Sequence, residues 1–323
     1  MKAIRINETG DADVMRIEEI EKPTPKAGEV LIKIAAAGIN YADLSQRQGM
    51  YLTRTQTPMT MGFEVAGTVE ALGPDVTAPQ VGSRVVALTP GGYAEYTTAA
   101  ANTVIPIPDS LDFNSAAAFP VQGITAYQLL RESTRLQVGE CVLIHAAAGG
   151  VGTLAIQLAK LMGAKTVIGT ASSAKKLELV RELGADVAIN YQEADWAEQV
   201  KKATDGKGPD VILEMVGGDI AEKSLQILAP FGRMVVYGAA GGQMVQFSGV
   251  QLMYKNQSVV GYWLTAWMSR PDKTAEAAKA LMQYLASDKL RIIVGHTFPL
   301  EKAVEAHKTI AERKTTGKVV LTV

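Results

Sequence analysis

Residues 141–172 read CVLIHAAAGGVGTLAIQLAKLMGAKTVIGTAS, and this stretch decides the fold. A short apolar run gives way to a knot of small residues. A helix-period apolar pattern over 151–162 follows, then a second apolar run, KTVIGTA. Strand, tight turn, helix and strand in that order make a parallel βαβ unit. In strict G-x-G-x-x-G register the pattern falls on Ala147, Gly149 and Gly152, so an alanine stands at the first glycine position. The flanking strand and helix supply the context that the motif needs.

The same rhythm continues downstream. A helical 174–183, DVAIN, a helical 195–204, DVILEMVG, a helical 219–228 and GRMVVYGAA succeed one another, and QSVVGYWL supplies a further strand. Strands alternating with helices predict a doubly wound parallel sheet. The first third differs: KAIRIN, VLIKIAAAG, EVAGTVEALG, RVVAL and GGYAEYTTA are strand-like runs punctuated by PTPKAGE, LGPD and TPGG. These predict a β-rich, barrel-like domain. The end of the chain returns to mixed elements, with helical 272–287, IIVGHTFPL, helical 300–313 and KVVLTV. The expected layout is α/β, with domain boundaries at 1–122, 123–264 and 265–323. The last segment returns to the first domain, so the central one is an insertion.

Small residues let a backbone approach a pyrophosphate, and the helix that follows offers unpaired N–H groups and the positive end of its dipole. The turn Gly149–Gly150–Val151–Gly152 is therefore expected to hold a dinucleotide. A site for NAD places an acid about twenty residues on, at the end of the next strand, to bind the ribose hydroxyls. Here GTASSAKK has no acid from Gly169 to Lys176. Ser172 and Ser173 can hydrogen-bond a phosphate, and Lys175 or Lys176 can neutralise it. A lysine pair in the first turn of a helix opposes the dipole, a cost that a bound anion offsets. The expected cofactor is NADPH.

Composition restricts the alternatives. The chain of 323 residues is 47% hydrophobic and 20% charged, with net charge −1 from 32 basic and 33 acidic residues. That balance argues against bulk electrostatic binding of nucleic acid or membrane. Cys141 is the single cysteine, which rules out an internal disulfide and a cysteine-rich metal site; it reads as a small buried hydrophobe. No apolar run reaches membrane-spanning length, and a cytoplasmic location is expected. His145, inside an apolar strand, reads as a satisfied structural histidine, and His296 and His307 lack ligand spacing.

GINYAD, GFEVAGTV, GGYAEY, QGITAYQLL, HAAAGGVG and LGADVAINY together resemble the medium-chain dehydrogenase/reductase superfamily, and within it the zinc-free NADPH:quinone oxidoreductases related to zeta-crystallin. The resemblance runs essentially end to end. It implies a GroES-like catalytic domain built from both chain ends, a Rossmann domain, and a homodimer formed through the edge of the nucleotide-domain sheet. Zinc-dependent relatives carry a cysteine ligand at the position of Asn40, a histidine at Phe63 and a further cysteine near Val121. Asn, Phe and Val do not build a tetrahedral zinc site, so no metal is expected. Without a Lewis acid, hydride addition to an electron-poor acceptor is easier than alcohol oxidation.

The resemblance also assigns residues. Asn40 is placed near the nicotinamide ribose or the acceptor, with Tyr41 and Tyr51 lining the same region as candidate catalytic groups. Tyr51 matches a tyrosine that 2-enoyl thioester reductases use as a donor. Thr125 matches a nicotinamide contact. Lys176 and Tyr191 match residues that hold the 2′-phosphate, and Arg313 matches an arginine that closes over it. Tyr237, Gly238, Trp263 and Leu264 are placed beside the nicotinamide. Three functions stay open: an NADPH-dependent quinone reductase, a 2-enoyl thioester or enone reductase, and an NADPH-binding protein with a structural or regulatory role.

Overall fold

Residues that alternate with turn signals in the first third pair as strands, and those that alternate with helices form a separate sheet. The computed structural model describes residues Met1–Val323. In chain order the strands of the first part are β1 (Lys2–Ile6), β2 (Arg16–Glu19), β3 (Glu29–Ile39), β4 (Met59–Thr60), β5 (Glu64–Leu72), β6 (Arg84–Leu88), β7 (Tyr96–Ala100) and β8 (Ile105–Pro106). Helix α1 (Tyr41–Arg47) interrupts them and helix α2 (Phe113–Ala116) follows the last of them. Helix α3 (Pro120–Gln128) leads into β9 (Cys141–Ile144), α4 (Gly150–Leu161), β10 (Thr166–Ala171), α5 (Ala174–Glu182), β11 (Val187–Asn190) and α6 (Trp196–Ala203). Then come β12 (Val211–Glu214), α7 (Gly218–Ile227), β13 (Arg233–Val236), α8 (Gly249–Tyr254), β14 (Ser258–Gly261), α9 (Leu264–Trp267) and α10 (Pro271–Ala286). The chain closes with β15 (Val294–Pro299), α11 (Ala303–Ala311) and β16 (Lys318–Thr322).

Two compact units result: Met1–Val121 with Ile292–Val323, and Gln122–Arg291. The return of the chain to the first unit thus comes at 292, not at 265. Helix α10 belongs to the central unit because Leu281 is fully buried there, within 3.0 Å of the position a Cβ on Gly123 would take. Lys273 Nζ also reaches Glu132 of that unit at 3.1 Å.

The central sheet is parallel throughout, in the order β11-β10-β9-β12-β13-β14. The order reverses between β9 and β12, and ligands of such sheets bind outside the carboxyl ends of the strands at that point. Leu143, Ile168, Ile189, Trp196, Ile212 and Leu225 form the core beneath it. Strands covered on both faces need near-continuous apolar runs, which VILE and CVLI supply.

In the outer unit β3 organises the sheet. One edge pairs along its length with β5. The other edge takes β7 along Glu29–Lys33 and the terminal β16 along Ala36–Ile39. The end of the chain therefore completes the sheet begun by its start. Cys141 differs from its expected burial, since it is only half-buried at the head of β9. Its thiol is pushed up to about 12 by desolvation and by Asp210, so it is an inert thiol.

Candidate functional site

In the central unit, the turn after β9 runs through His145 to Gly149 at the reversal of strand order. Ala147 and Ala148 are buried, and the Ala147 N–H donates to Thr170 O at 2.9 Å, tying the turn to β10. Alanine fits at the first motif position because it packs on Gly169, where a second β-carbon would lie 2.9 Å from the Ala147 methyl. Gly152 has no such latitude: its β-carbon would lie 2.5 Å from Ala146 O and 2.6 Å from Ala147 Cα. Gly149 stands at the N-cap of α4 without a side chain to cap it. The first N–H groups of the helix, from Gly150, Val151 and Gly152, have no intrahelical acceptor and lie at the positive dipole end. The Gln122 side chain lies across Gly150, in space that a Cβ would fill; nothing in the sequence signals that placement. A pyrophosphate fits this combination of small residues and uncapped donors.

The end of β10 carries the second element. Ser172 is half-buried, Lys175 is exposed and Lys176 is half-buried in the first turn of α5. Ser173 is the N-cap of α5, its Oγ accepting from the Lys176 N–H at 3.4 Å, so one of its lone pairs serves the helix. The Tyr191 N–H donates to Ala171 O at 3.2 Å, which places Tyr191 beside the same strand end. Ser172, Ser173, Lys176 and Tyr191 thus come to one edge of the sheet. The donor and cation chemistry there fits a phosphate better than a ribose diol.

Further along the carboxyl edge, Tyr237 is half-buried after β13 and its N–H donates to Glu214 O at 3.0 Å, with Gly238 next in the chain. Burial, with the Glu214 charge, pushes the Tyr237 phenol up, so it remains a protonated donor. Trp263 is the N-cap and Leu264 the first residue of α9, both half-buried. Thr125 is buried in α3, one turn before Gln128, whose Oε1 accepts from Tyr262 OH at 2.8 Å. The sequence reading passed over Glu214. It is fully buried, and its carboxylate accepts from the N–H groups of Val216 at 2.8 Å and Gly217 at 3.0 Å. Burial raises its pKa against the lowering effect of those donors. An acid inside the apolar run VILE was the available signal.

His145 is a structural residue, as its sequence context implied. It is fully buried, its Nδ1 lies 2.9 Å from Thr170 Oγ1 and its Nε2 lies 2.8 Å from Ser224 Oγ. Its ring stands edge-on to Trp196. Desolvation lowers its pKa to about 4.

The outer unit holds a buried polar network around Asn40, the N-cap of α1. Asn40 Nδ2 donates to Glu64 Oε2 at 3.2 Å, and Asn40 Oδ1 accepts from Lys318 Nζ at 2.7 Å. Lys318 Nζ also meets Glu64 Oε2 at 2.5 Å, and the Val121 N–H donates to Glu64 Oε1 at 2.6 Å. Asp43 Oδ2 accepts from the Asn40 N–H at 2.8 Å and from Tyr93 OH at 2.9 Å, and Tyr93 OH lies 3.2 Å from His307 Nε2. All of these side chains are buried. Burial raises Asp43 to about 6 against the lowering effect of its donors and of Lys318. Burial, helped by Arg47, lowers His307 to about 3.

The sequence singled out Asn40 and gave no sign that Lys318 and Tyr93 belong to its network. Lys318 lies 278 residues further along the chain, and only the pairing of β16 with β3 brings it near. Tyr41 is the first residue of α1 and is exposed, whereas Tyr51 is half-buried in the loop after it. Arg313 is an exposed residue of the outer unit that follows α11 with φ +57°. It does not share a unit with Lys176 and Tyr191.

Residues 26–109 match the alcohol dehydrogenase GroES-like domain, and residues 150–283 match the zinc-binding dehydrogenase family. Human quinone oxidoreductase is 36% identical over 325 residues, covering 99% of this chain and 97% of that protein. The structure of Escherichia coli quinone oxidoreductase complexed with NADPH superposes with a TM-score of 0.94 at 32% identity, covering 100% of each chain. The CurK enoyl reductase structure gives a TM-score of 0.90 at 32% identity, covering 99% of this chain and 98% of that one. Zinc does not fit the donors present here. Asn40, Asp43 and Glu64 offer no thiolate or imidazole, and an ammonium already lies against Asn40 and Glu64.

Proposed function

Because the chain belongs to the quinone oxidoreductase family of the medium-chain dehydrogenases/reductases, we propose that it reduces a quinone or a similar conjugated carbonyl at the expense of NADPH, without a metal. One observation carries the reading: the end of β10 has no acid and instead gathers Ser172, Ser173, Lys176 and Tyr191. NADPH supplies the hydride when bound. The uncapped N–H groups of Gly150, Val151 and Gly152 hold its pyrophosphate. Ser172, Lys176 and Tyr191 hold the 2′-phosphate, with Arg313 as a further cation suited to it. Ser173 adds its hydroxyl proton while still capping α5. Thr125, Tyr237, Gly238, Trp263 and Leu264 flank the nicotinamide.

Hydride addition to a conjugated carbonyl leaves negative charge on oxygen, and a donor placed there stabilises the transition state more than the ground state. Asn40 supplies an N–H, and Tyr41 and Tyr51 supply hydroxyls; the hydroxyls can also release the proton that completes reduction. The protein works as a homodimer, and the exposed apolar side chains next to edge strand β14 support that assembly.

The likeness to CurK enoyl reductase over the whole chain supports a second reading, reduction of 2-enoyl thioesters or enones. Both are tested by NADPH oxidation with 1,4-benzoquinone and a short 2-enoyl thioester in parallel, each repeated with NADH. Turnover with the quinone, faster with NADPH than with NADH, is expected. Turnover with the thioester alone moves the assignment to enoyl reduction. Tight NADPH binding with no turnover of either acceptor sinks both readings and leaves a binding protein.

A further inference from the structure

The Lys318–Glu64 pair does something for Asn40 that packing alone would not. The side-chain amide has two ends of opposite polarity and similar shape, so sterics alone leave its orientation nearly free. Here Oδ1 faces the Lys318 ammonium at 2.7 Å and Nδ2 faces the Glu64 carboxylate at 3.2 Å. A flipped amide would set its oxygen against the carboxylate and its NH2 group against the ammonium. Each of those contacts is repulsive, and burial leaves little solvent to screen them: Lys318 is 1% exposed, Glu64 0% and Asn40 6%.

The pair is itself held. Glu64 Oε1 accepts from the Val121 N–H at 2.6 Å, and Lys318 Nζ lies 2.5 Å from Glu64 Oε2. Gly38 makes room for the arrangement, since a β-carbon there would lie 2.6 Å from both Glu64 Oε2 and Lys318 Cε. One of the two Nδ2 protons is used on Glu64, so the oriented amide has a single N–H left to present.

We propose that Lys318 and Glu64 are positioning residues that fix Asn40 as a one-way hydrogen-bond donor toward the reacting oxygen or the cofactor. The proposal rests on the reading of Asn40 given above. Lys318 acts through Asn40 and touches neither substrate nor cofactor. The charges matter because they set a direction, and a neutral pair of the same size would fill the space without setting it.

The test compares Lys318→Met, Glu64→Gln, the double variant and Asn40→Ala in the full chain, with NADPH and 1,4-benzoquinone. Lys318→Met alone leaves Glu64 buried without its cation, and a lower thermal midpoint is expected. The double variant removes both charges and is expected to recover much of that midpoint while kcat falls about 2-fold, because an amide free to flip presents its N–H in about half of the molecules, with KM for the quinone unchanged. Asn40→Ala then costs less in the double variant than it does in the wild-type chain. Recovery of kcat together with the midpoint overturns the proposal, as do losses that multiply. Wild-type kcat in Asn40→Ala overturns the reading of Asn40 and the proposal with it.

If the wild-type protein oxidises no NADPH, the functional reading fails, yet the orientation claim is still decided. Nuclear Overhauser contacts from the Asn40 Nδ2 protons, assigned by their loss in Asn40→Ala, run to the side chain at 64 in the wild type and to those at both 64 and 318 in the double variant if the pair orients the amide. Contacts that keep to position 64 in the double variant overturn it.

Discussion

His145 and His307 are both buried, and each stays neutral because its surroundings oppose a proton. His145 has hydroxyls on both ring nitrogens and no carboxylate beside it, and desolvation lowers it to about 4. His307 is lowered to about 3 by desolvation and by the Arg47 charge. Unfolded histidine takes its proton near pH 6.5, so below that pH the unfolded chain binds protons that the folded one refuses. Stability from these groups is complete above about pH 6.5 and falls as the pH drops toward 4. Asp43 has the opposite sign: raised to about 6, it holds a proton in the folded state that the unfolded chain has released. It therefore returns stability on acidification from 6 to 4, and the two histidines together outweigh it. Between pH 7 and 5 the share of His145 is roughly 2 kcal/mol, at about 1.4 kcal/mol per pKa unit. Urea unfolding at the two pH values checks this. His145→Gln starts less stable at pH 7 but loses roughly 2 kcal/mol less on acidification. An unchanged pH dependence would show that His145 is not the group responsible.

At the scale of elements, helices α4 and α5 present their N-termini at the carboxyl edge of the central sheet by different devices. Helix α4 comes close because Gly152 has no β-carbon. Gly152→Ala forces a methyl against the backbone of Ala146 and Ala147, which cannot swing aside. Overpacking of this kind costs about 1–3 kcal/mol, read as a lower urea midpoint, and it displaces the N–H groups proposed for the pyrophosphate. Helix α5 is capped by Ser173 and carries Lys176 in its first turn. Lys176→Ala is expected to raise KM for NADPH about 10-fold, since a hydrogen bond to a charged group contributes about 1.5 kcal/mol, and to leave KM for NADH nearly unchanged. Ser173→Ala should cost about 0.5–1 kcal/mol of stability as a lost cap. Equal changes with both cofactors in Lys176→Ala would remove Lys176 from the phosphate site.

These two helices were legible because local patterns specify them: an apolar period, small residues at the turn, a serine before the helix. The parallel sheet was legible for the same reason, since each strand is followed by its own helix. Helix α1 and the buried network around Asn40 were not. GINYADLSQR holds polar residues on both sides of a short helix, and its Asp43 and Arg47 are buried by contacts from distant segments. Likewise Lys318 in GKVVLTV reads as the solvated start of a strand until β16 is placed against β3. Periodicity reports which face is apolar and says nothing of a charge paired across the fold. The boundary at 265 failed for a related reason: α10 has the same amphipathic pattern whichever unit it packs on, and the contact of Leu281 with Gly123 decides it.

For the molecule as a whole, the open question is what covers the end of the central sheet. β14 is an edge strand, with backbone donors and acceptors on its outer side. Just before it, Val250, Met253 and Tyr254 are 76%, 75% and 87% exposed, and Phe231, whose N–H reaches Lys255 O at 2.8 Å, is 71% exposed. Large apolar side chains gathered beside an unpaired strand make an aggregation hazard unless a partner buries them. A second copy related by a two-fold axis meets both needs at once, since the same edge and the same patch face each other. Met253→Asp with Tyr254→Asp should convert the proposed dimer to a monomer in sedimentation velocity, with the circular dichroism spectrum unchanged because neither side chain contributes to a core. Introducing like charges at a two-fold contact doubles the repulsion, which is why two substitutions suffice. A wild-type chain that sediments as a monomer at micromolar concentration would exclude this assembly.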